Sequence, residues 1–395
     1  RDLVRSRGLG DVYKRQLHTI ASLNTRSGGT STCTYDLVKA LNGNGCRTDI
    51  LTLSPADASD VMIGQDSFIH ALPNDAVSPL SLSRGMRGFL HGETEYDLYH
   101  TNGLWQDVNH ATAAIARAKG KPCVISPHGM LYPEALLRSR WKKRLMLNLG
   151  HRRDLERADC IHVTCLREMK HCRALGLLNP MAVIPNPVAV PGFLEELNRP
   201  NDRFRIGFLG RFHPIKNIDR LIRAWSVAGK AAQDGELVLV GDGPAEYVSY
   251  LRDLARTLHL ENVRFTGFLT GRAKFEALAS LTALFVPSES ENFGMSVPES
   301  LLAGTPVMAS HGTPWEDLSL HNCGWWRPND TDTLAQTIEE AAALSGEDLK
   351  NMGDAGRRLV LDQYTAPRVA KNMTLLYEYL LRQRPDQPDF LYYQS

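Results

Sequence analysis

The sequence predicts an α/β protein made of two doubly wound halves, each a parallel sheet covered by helices. Three observations carry this. Short apolar runs alternate with amphipathic segments from Leu17 onward, a Pro- and Asn-containing stretch at 184–202 interrupts the alternation, and the same alternation then restarts. The 395 residues are enough for two or three domains. The expected division is a leader over 1–16, an N-terminal half over 17–186, a linker over 187–202, a C-terminal half over 203–365, and a terminal helix and tail over 366–395 that can cross back to the N-terminal half.

In chain order, RDLVRSRGLGDVYKRQ carries four Arg and one Lys with no usable apolar period, and predicts a leader foreign to the protein. LHTIASL (17–23) then reads as a strand, and SGGTSTC as a glycine turn into a helix that ends at Gly43 or Gly45. RTDILTL (47–53) is the next strand, which completes a βαβ unit. YDLYHT (96–101), PCVISPH (122–128), DCIHVTC (159–165) and AVIP (182–185) are further strands, with helical patterns over 107–119 and 134–158. In the second half the strands are RFRIGFLG (203–210), GELVLVGDG (235–243), VRFTGFL (263–269) and ALFVPS (283–288), separated by amphipathic helices. In such sheets ligands sit at the carboxyl ends of the strands, so a cleft between the two halves is the expected site.

Composition excludes several classes. Lys plus Arg is 45 against 44 for Asp plus Glu, and 43% of residues are hydrophobic, so neither disorder nor a globally basic nucleic-acid binder fits. The longest apolar run, near 277–287, is too short to span a bilayer. Seven cysteines without a CxxC read as reduced thiols in a cytoplasm. Cys160, His162, Cys165, His171 and Cys172 cluster in sequence, but strand alternation sends Cys160 and His162 to one face and Cys165 to the other, so no metal site is expected.

Four segments carry chemistry. Gly28 and Gly29 lie between the first strand and a helix, where bare backbone amides can approach a phosphate. GRFHPIKN (210–217) places Arg211 and Lys216 in a loop entering a helix, a planar fork and a mobile point charge for one anion. In PSESENFGMSVPESLLAG (287–304), Glu291 and Glu299 bracket Phe293, Gly294 and Met295, and each carboxylate can accept from ligand hydroxyls. A glycosidase acid and base pair is the rival, but the neighbouring cations ask for an anionic ligand. GDGPAE has Gly241 and Gly243 but Glu246 in place of a third glycine, which counts against a nicotinamide-binding dehydrogenase. The triplet Asp330, Thr331, Asp332 reads as a helix cap, not a metal-binding motif.

The GG turn, GRFHPIKN, VGDGP, the Glu-x7-Glu segment beginning ENFG and the linker entry VIPNPV together resemble the retaining glycosyltransferases of family 4, over about Leu17 to Leu380. The resemblance implies the GT-B fold, two Rossmann-like domains facing each other across a cleft, and no metal or other cofactor. It implies that Arg211 and Lys216 hold the diphosphate of a UDP- or GDP-sugar and Glu299 its ribose. Glu291 with the amides of Phe293 to Met295 would hold the donor sugar, and His128 in SPHGM would be the cleft histidine near the transferred hexose. Gly29 would approach the diphosphate, and the base would stack near Gly267 and Phe268. Pro187 stands where the family usually has Gly. A sugar-nucleotide epimerase on the same fold and a non-catalytic nucleotide-sugar binder are the alternatives.

Acceptor-side candidates are His100, Trp105 and Asn109 in HTNGLWQDVNH, for which loop packing is the plain alternative. Between 138 and 173 there are 11 cations against four acids, with Trp141, Leu145, Met146 and Leu149 at helical spacing. That pattern fits either a solvated helix face or a surface resting on anionic lipid beside a lipid-linked acceptor, at the inner face of a membrane in surface polysaccharide synthesis.

Overall fold

The computed structural model describes residues 14–24, 28–54, 62–74, 82–92, 95–198 and 203–394, and the chain divides into two compact units. One holds residues up to Val163, then Met169–Ile184 and Val369–Ser395; the other holds Thr164–Glu168 and Pro185–Arg368.

The first unit is built on β1 (Arg15–Ser22), β2 (Arg47–Leu53), β3 (Ile69–Leu72), β4 (Leu98–Asn102), β5 (Cys123–Ser126), β6 (Cys160–Val163), β7 (Met181–Val183) and, far along the chain, a short final strand, Leu391–Tyr392. Their order runs from the final strand through β7, β6, β5, β4, β1 and β2 to β3, and every pair is parallel except the final strand on β7. The chain thus winds outward from β1 in one direction, returns, and winds outward from β4 in the other. β1 and β4 are adjacent, so the reversal falls between them.

Two expectations are corrected here. Arg15 and Gln16, assigned to a foreign leader, are the first residues of β1: Arg15 donates its amide to Asp97 at 3.0 Å and pairs with Asp49, and buried Gln16 accepts from Thr48. Residues 1–13 lie outside the described ones. The helical pattern expected over 134–158 is broken into Pro133–Leu137, Arg140–Met146 and Arg152–Glu156, with left-handed backbone at Ser139 and a wide turn through Gly150. The bend brings Asp154, almost fully buried, to His110 and Arg117.

The second unit has β8 (Arg205–Leu209), β9 (Glu236–Val240), β10 (Val263–Gly267), β11 (Ala283–Val286), β12 (Val307–Ser310) and β13 (Gly324–Arg327), all parallel, in the order β10, β9, β8, β11, β12, β13. Period-two alternation divides the core. Ala283 and Phe285 pack on one face with Ile206, Phe208 and Trp225, while Leu284 and Val286 pack on the other with Val297, Leu301 and Val360. β3, β12, β13 and the final strand, each four residues or fewer, are not among the strands that the apolar runs predict. The stretch 187–202 is not a free linker: Val188 and Leu194 are buried in the second unit's core, and Val188 bridges to Thr365; residues 199–202 lie outside the described ones.

The helix Ala366–Leu380 starts in the second unit and continues in the first, where Val369, Met373, Leu376 and Tyr377 are buried. Among the described residues no helix is long and apolar enough to cross a membrane.

Candidate active site

In the second unit the chain winds from β8 to β9 and β10, then crosses to β11 on the other side, so β8 and β11 flank the point where strand order reverses. Parallel strands put all their carboxyl ends along one edge. Arg211 and Lys216 follow β8, and Glu291 and Glu299 follow β11, Glu291 on the loop and Glu299 in the first turn of the helix Ser296–Leu302, so the four predicted residues stand on the two segments that open the crevice of such a sheet.

The local chain holds them there. His213 caps a single tight turn, Pro214–Lys216, by accepting from the Ile215 amide at 3.2 Å. Buried Asn217, in left-handed backbone, ends that turn and donates to the Pro287 carbonyl at 3.0 Å, while the Glu289 amide donates to Ile215 at 2.8 Å. The two loops are therefore stitched by one main-chain bond and by the Asn217 side chain before any charged group of the site acts. Phe293 anchors the next stretch, buried against Trp315 and Tyr364, and the Trp315 indole donates to its carbonyl.

Within that frame Lys216 Nζ donates to Glu291 Oε1, which also accepts from Ser288 at 2.8 Å. Glu299 Oε1 accepts from Lys274 Nζ at 2.7 Å. The sequence reading missed Lys274 and Ser288. Ser288 lies in the quoted motif, but Lys274 sits on the helix Gly271–Ala279, 25 residues before its partner, where only tertiary contact identifies it. Its effect is to hold one oxygen of Glu299 and aim the other. Arg211 is exposed and has no ion-pair or hydrogen-bond partner among the described residues. The amides of Phe293 and Gly294 likewise have no acceptor among the described residues. Met295 precedes the helix Ser296–Leu302 and accepts from the Glu299 amide at 3.2 Å.

Gly267 ends β10 and Phe268 follows it, two strands from β8, and Phe268 is 65% exposed at this edge. Two strand spacings are roughly 10 Å. The glycines of GDGP serve packing: a Cβ on Gly241 would lie 1.9 Å from the Gly210 carbonyl oxygen, and one on Gly243 would lie 2.2 Å from that of Phe212. Asp330 caps the helix Thr331–Ala343 by accepting from the Thr333 amide at 2.9 Å, a bond that lowers its pKa.

In the first unit Gly28, exposed with φ 93°, leads into the helix Gly29–Gly43, whose Ser31 hydroxyl donates to Ser22 at the end of β1. His128 follows β5 in left-handed backbone, φ 49°, rare for a residue with a side chain. Its Nε2 lies 3.2 Å from Asn102 Oδ1. Burial, with the neighbouring His162 adding to it, lowers its pKa to about 3, so the ring is neutral at neutral pH.

The acceptor-side expectations for His100 and Asn109 are corrected. His100 is fully buried with both ring nitrogens bonded, to Tyr377 and Ser126 at 2.6 Å each. Asn109 is buried too, and its amide group serves Thr101, the Asn102 carbonyl and the Gln106 amide. Both belong to the core because β4 and the helix start are covered on all sides. Trp105 is half-buried, 5.8 Å from Lys143 Nζ and 6.0 Å from the His151 ring, and its indole N–H has no acceptor among the described residues. No group of three or more His, Cys, Asp or Glu among the described residues could hold a metal ion; Cys160 is buried, and His162 bonds Ser126 and the Ile184 carbonyl.

Comparison with known proteins agrees with this fold. Residues 28–187 match the family described as glycosyl transferase 4-like domain, and residues 193–359 match glycosyl transferases group 1. A D-inositol 3-phosphate glycosyltransferase of Nocardioides is 28% identical over 72% of this chain and 70% of its own length. A GDP-mannose-dependent alpha-mannosyltransferase of Mycolicibacterium smegmatis is 32% identical over 50% of this chain, and the match spans about half (51%) of that relative. Among solved structures, Anabaena Alr3699/HepE in complex with UDP and glucose has a TM-score of 0.71 at 19% identity, covering 93% of this chain and all of that one, a likeness of fold.

Proposed function

This chain belongs to the family 4 type glycosyltransferases with the GT-B fold, and from that premise we propose that it is a retaining, metal-independent hexosyltransferase. It takes a UDP- or GDP-sugar and glycosylates a glycan or lipid-linked acceptor. The observation that carries the reading is that two cations after β8, Arg211 and Lys216, and two carboxylates after β11, Glu291 and Glu299, flank the reversal point of one sheet, with Lys216 bonded to Glu291.

The difficult step is departure of a nucleoside diphosphate from the anomeric carbon. Arg211 and Lys216 meet the charge that grows on the leaving phosphate, in place of a divalent ion. Glu299 accepts from the ribose hydroxyls through the oxygen that Lys274 leaves open, and Glu291 with the amides of Phe293 to Met295 receives the sugar. The leaving phosphate takes the acceptor's proton on the same face, which retains configuration. Gly28 and Gly29 approach the diphosphate, Gly267 and Phe268 flank the base, and His128 lies by the transferred sugar. Relatives named for GDP-mannose and a fold neighbour holding UDP leave both bases in the panel.

Thermal shift with UDP, GDP, ADP and their sugars tests this. One nucleotide should raise Tm by several degrees, and Glu299→Gln should reduce that rise while leaving the ligand-free Tm within a few degrees. A full shift in Glu299→Gln removes that carboxylate from the nucleotide site.

A second observation favours a lipid-linked acceptor. Leu137, Trp141, Leu145 and Leu149 are each at least half exposed, and the helix Arg140–Met146 buries no residue. A solvated helix face does not normally present an apolar row of this size amid a local excess of seven positive charges. On anionic lipid each cation near the surface contributes about 1 kcal/mol, and the apolar row enters the headgroup boundary. In vesicle flotation the protein should bind phosphatidylglycerol but not phosphatidylcholine, and Trp141→Ala with Leu145→Ala should weaken binding about tenfold. Equal recovery from both lipids removes the membrane from the reading.

A further inference from the structure

Seven hydrogen bonds in the first unit join end to end. From the Ile184 carbonyl they run to His162 Nε2 (2.9 Å), from His162 Nδ1 to Ser126 Oγ (2.7 Å), and from Ser126 Oγ to His100 Nε2 (2.6 Å). His100 Nδ1 meets the Tyr377 hydroxyl (2.6 Å), which meets His18 Nε2 (2.8 Å). His18 Nδ1 then lies 3.4 Å from Asn102 Nδ2, and Asn102 Oδ1 lies 3.2 Å from His128 Nε2.

We infer that this chain of bonds sets the tautomer of His128: the proton is held on Nε2, and Nδ1 is left as a hydrogen-bond acceptor. The argument is one of direction. A carbonyl only accepts, so His162 carries its proton on Nε2 and its Nδ1 must receive the Ser126 hydroxyl. Ser126 then accepts from His100 Nε2–H, His100 Nδ1 accepts from Tyr377, and Tyr377 accepts from His18 Nε2–H. His18 Nδ1 accepts from the Asn102 amide group, and Asn102 Oδ1 accepts from His128 Nε2–H. The far end agrees: Asn102 Nδ2 also faces the Thr19 carbonyl at 3.4 Å, a contact too long to fix the amide by itself.

No ring in the chain can escape by becoming a cation. Burial lowers the pKa of His18 to about 3 and of His162 to about 4, and holds His100 well below its usual value; the like charges of neighbouring histidines add to this for His18 and His100. His128 Nδ1 has no partner among the described residues. Resting on the reading of His128 at the donor sugar, the inference adds that this ring accepts from a sugar hydroxyl and does not donate to a ring oxygen. Ser126, His162, His100, Tyr377 and His18 are then positioning residues.

Two-bond 1H–15N correlation on the full chain with 15N-labelled histidine, at pH 7.5, reads each tautomer, with the His128→Gln spectrum giving the assignment of that ring. His18, His100, His128 and His162 should all be Nε2–H. A proton on Nδ1 of any of the four overturns the inference without any change to the buried chain. In Tyr377→Phe the chain is cut, so the Asn102 amide group can reverse and His128 should become a mixture of both tautomers; an unchanged Nε2–H signal overturns it as well. If Tyr377→Phe does not fold, the unmodified spectrum decides alone. The same variant should lower kcat for sugar transfer about tenfold, the worth of one hydrogen bond, with nucleoside diphosphate affinity unchanged. A tautomer mixture with full kcat keeps the inference and removes His128 from the sugar site.

Discussion

Arg211→Ala should lower kcat/KM for the nucleotide sugar by about 10²-fold and leave the ligand-free protein as stable as before. Lys216→Ala should lower it by about 10² to 10³-fold and cost stability as well. The difference follows from their surroundings. Arg211 is exposed and bonded to nothing among the described residues, so its removal deletes one charge and no fold contact. Lys216 is the cationic partner of Glu291, and both side chains are less than one-fifth exposed. Removing it leaves Glu291 with Ser288 alone, a partly buried carboxylate short of its counter-charge. Steady-state kinetics beside urea denaturation separates the two effects. An Arg211→Ala enzyme of full activity would remove that cation from the leaving-group site.

Acid should unfold the first unit sooner than a protein of ordinary histidine content. His18, His100, His128 and His162 all have folded-state pKa values lowered from 6.5, chiefly by burial. A lowered histidine pKa means that the unfolded chain binds more protons than the fold between those values and 6.5. The stability is therefore complete above about pH 6.5 and falls as the pH drops toward the folded values. At pH 5 His18, His128 and His162 each cost about 2 kcal/mol and His100 adds in the same direction, so the four together approach the whole stability of a typical domain. Urea midpoints followed from pH 7.5 to 5 should fall steeply, with an uptake of several protons on unfolding. A flat midpoint over that range would show that the rings are not buried neutral. His128→Gln should shallow the slope by about one proton.

The parts of this molecule that sequence patterning reveals are those governed by local rules. Leu237 to Val240 and Ala283 to Val286 read as strands because a strand buried on both faces is continuously apolar. Asp330 reads as a cap because the bond it makes is three residues away. The motif residues Arg211, Lys216, Glu291 and Glu299 were also legible, since strand order alone places the ends of β8 and β11 side by side. What patterning misread was each residue whose role depends on distant packing. His100 looks like a polar residue at a strand end; it is a core group, because Tyr377, 277 positions along the chain, closes over it. Arg15 and Gln16 look like the tail of a basic leader, yet Asp49, Asp97 and Thr48 make them a strand.

By itself the sequence determined the fold class, the family and the place of four charged residues, Arg211, Lys216, Glu291 and Glu299, on the segments that follow two strands of the second half, because these rest on spacing and on the alternation of apolar and polar positions. Only the tertiary structure decided that Lys274 steadies Glu299, and that a helix near the C-terminus places a tyrosine hydroxyl among the histidines of the first sheet. Those contacts join residues whose separation along the chain bears no relation to their distance in space. A hydrogen bond's direction, moreover, is set by what lies at the far end of its network.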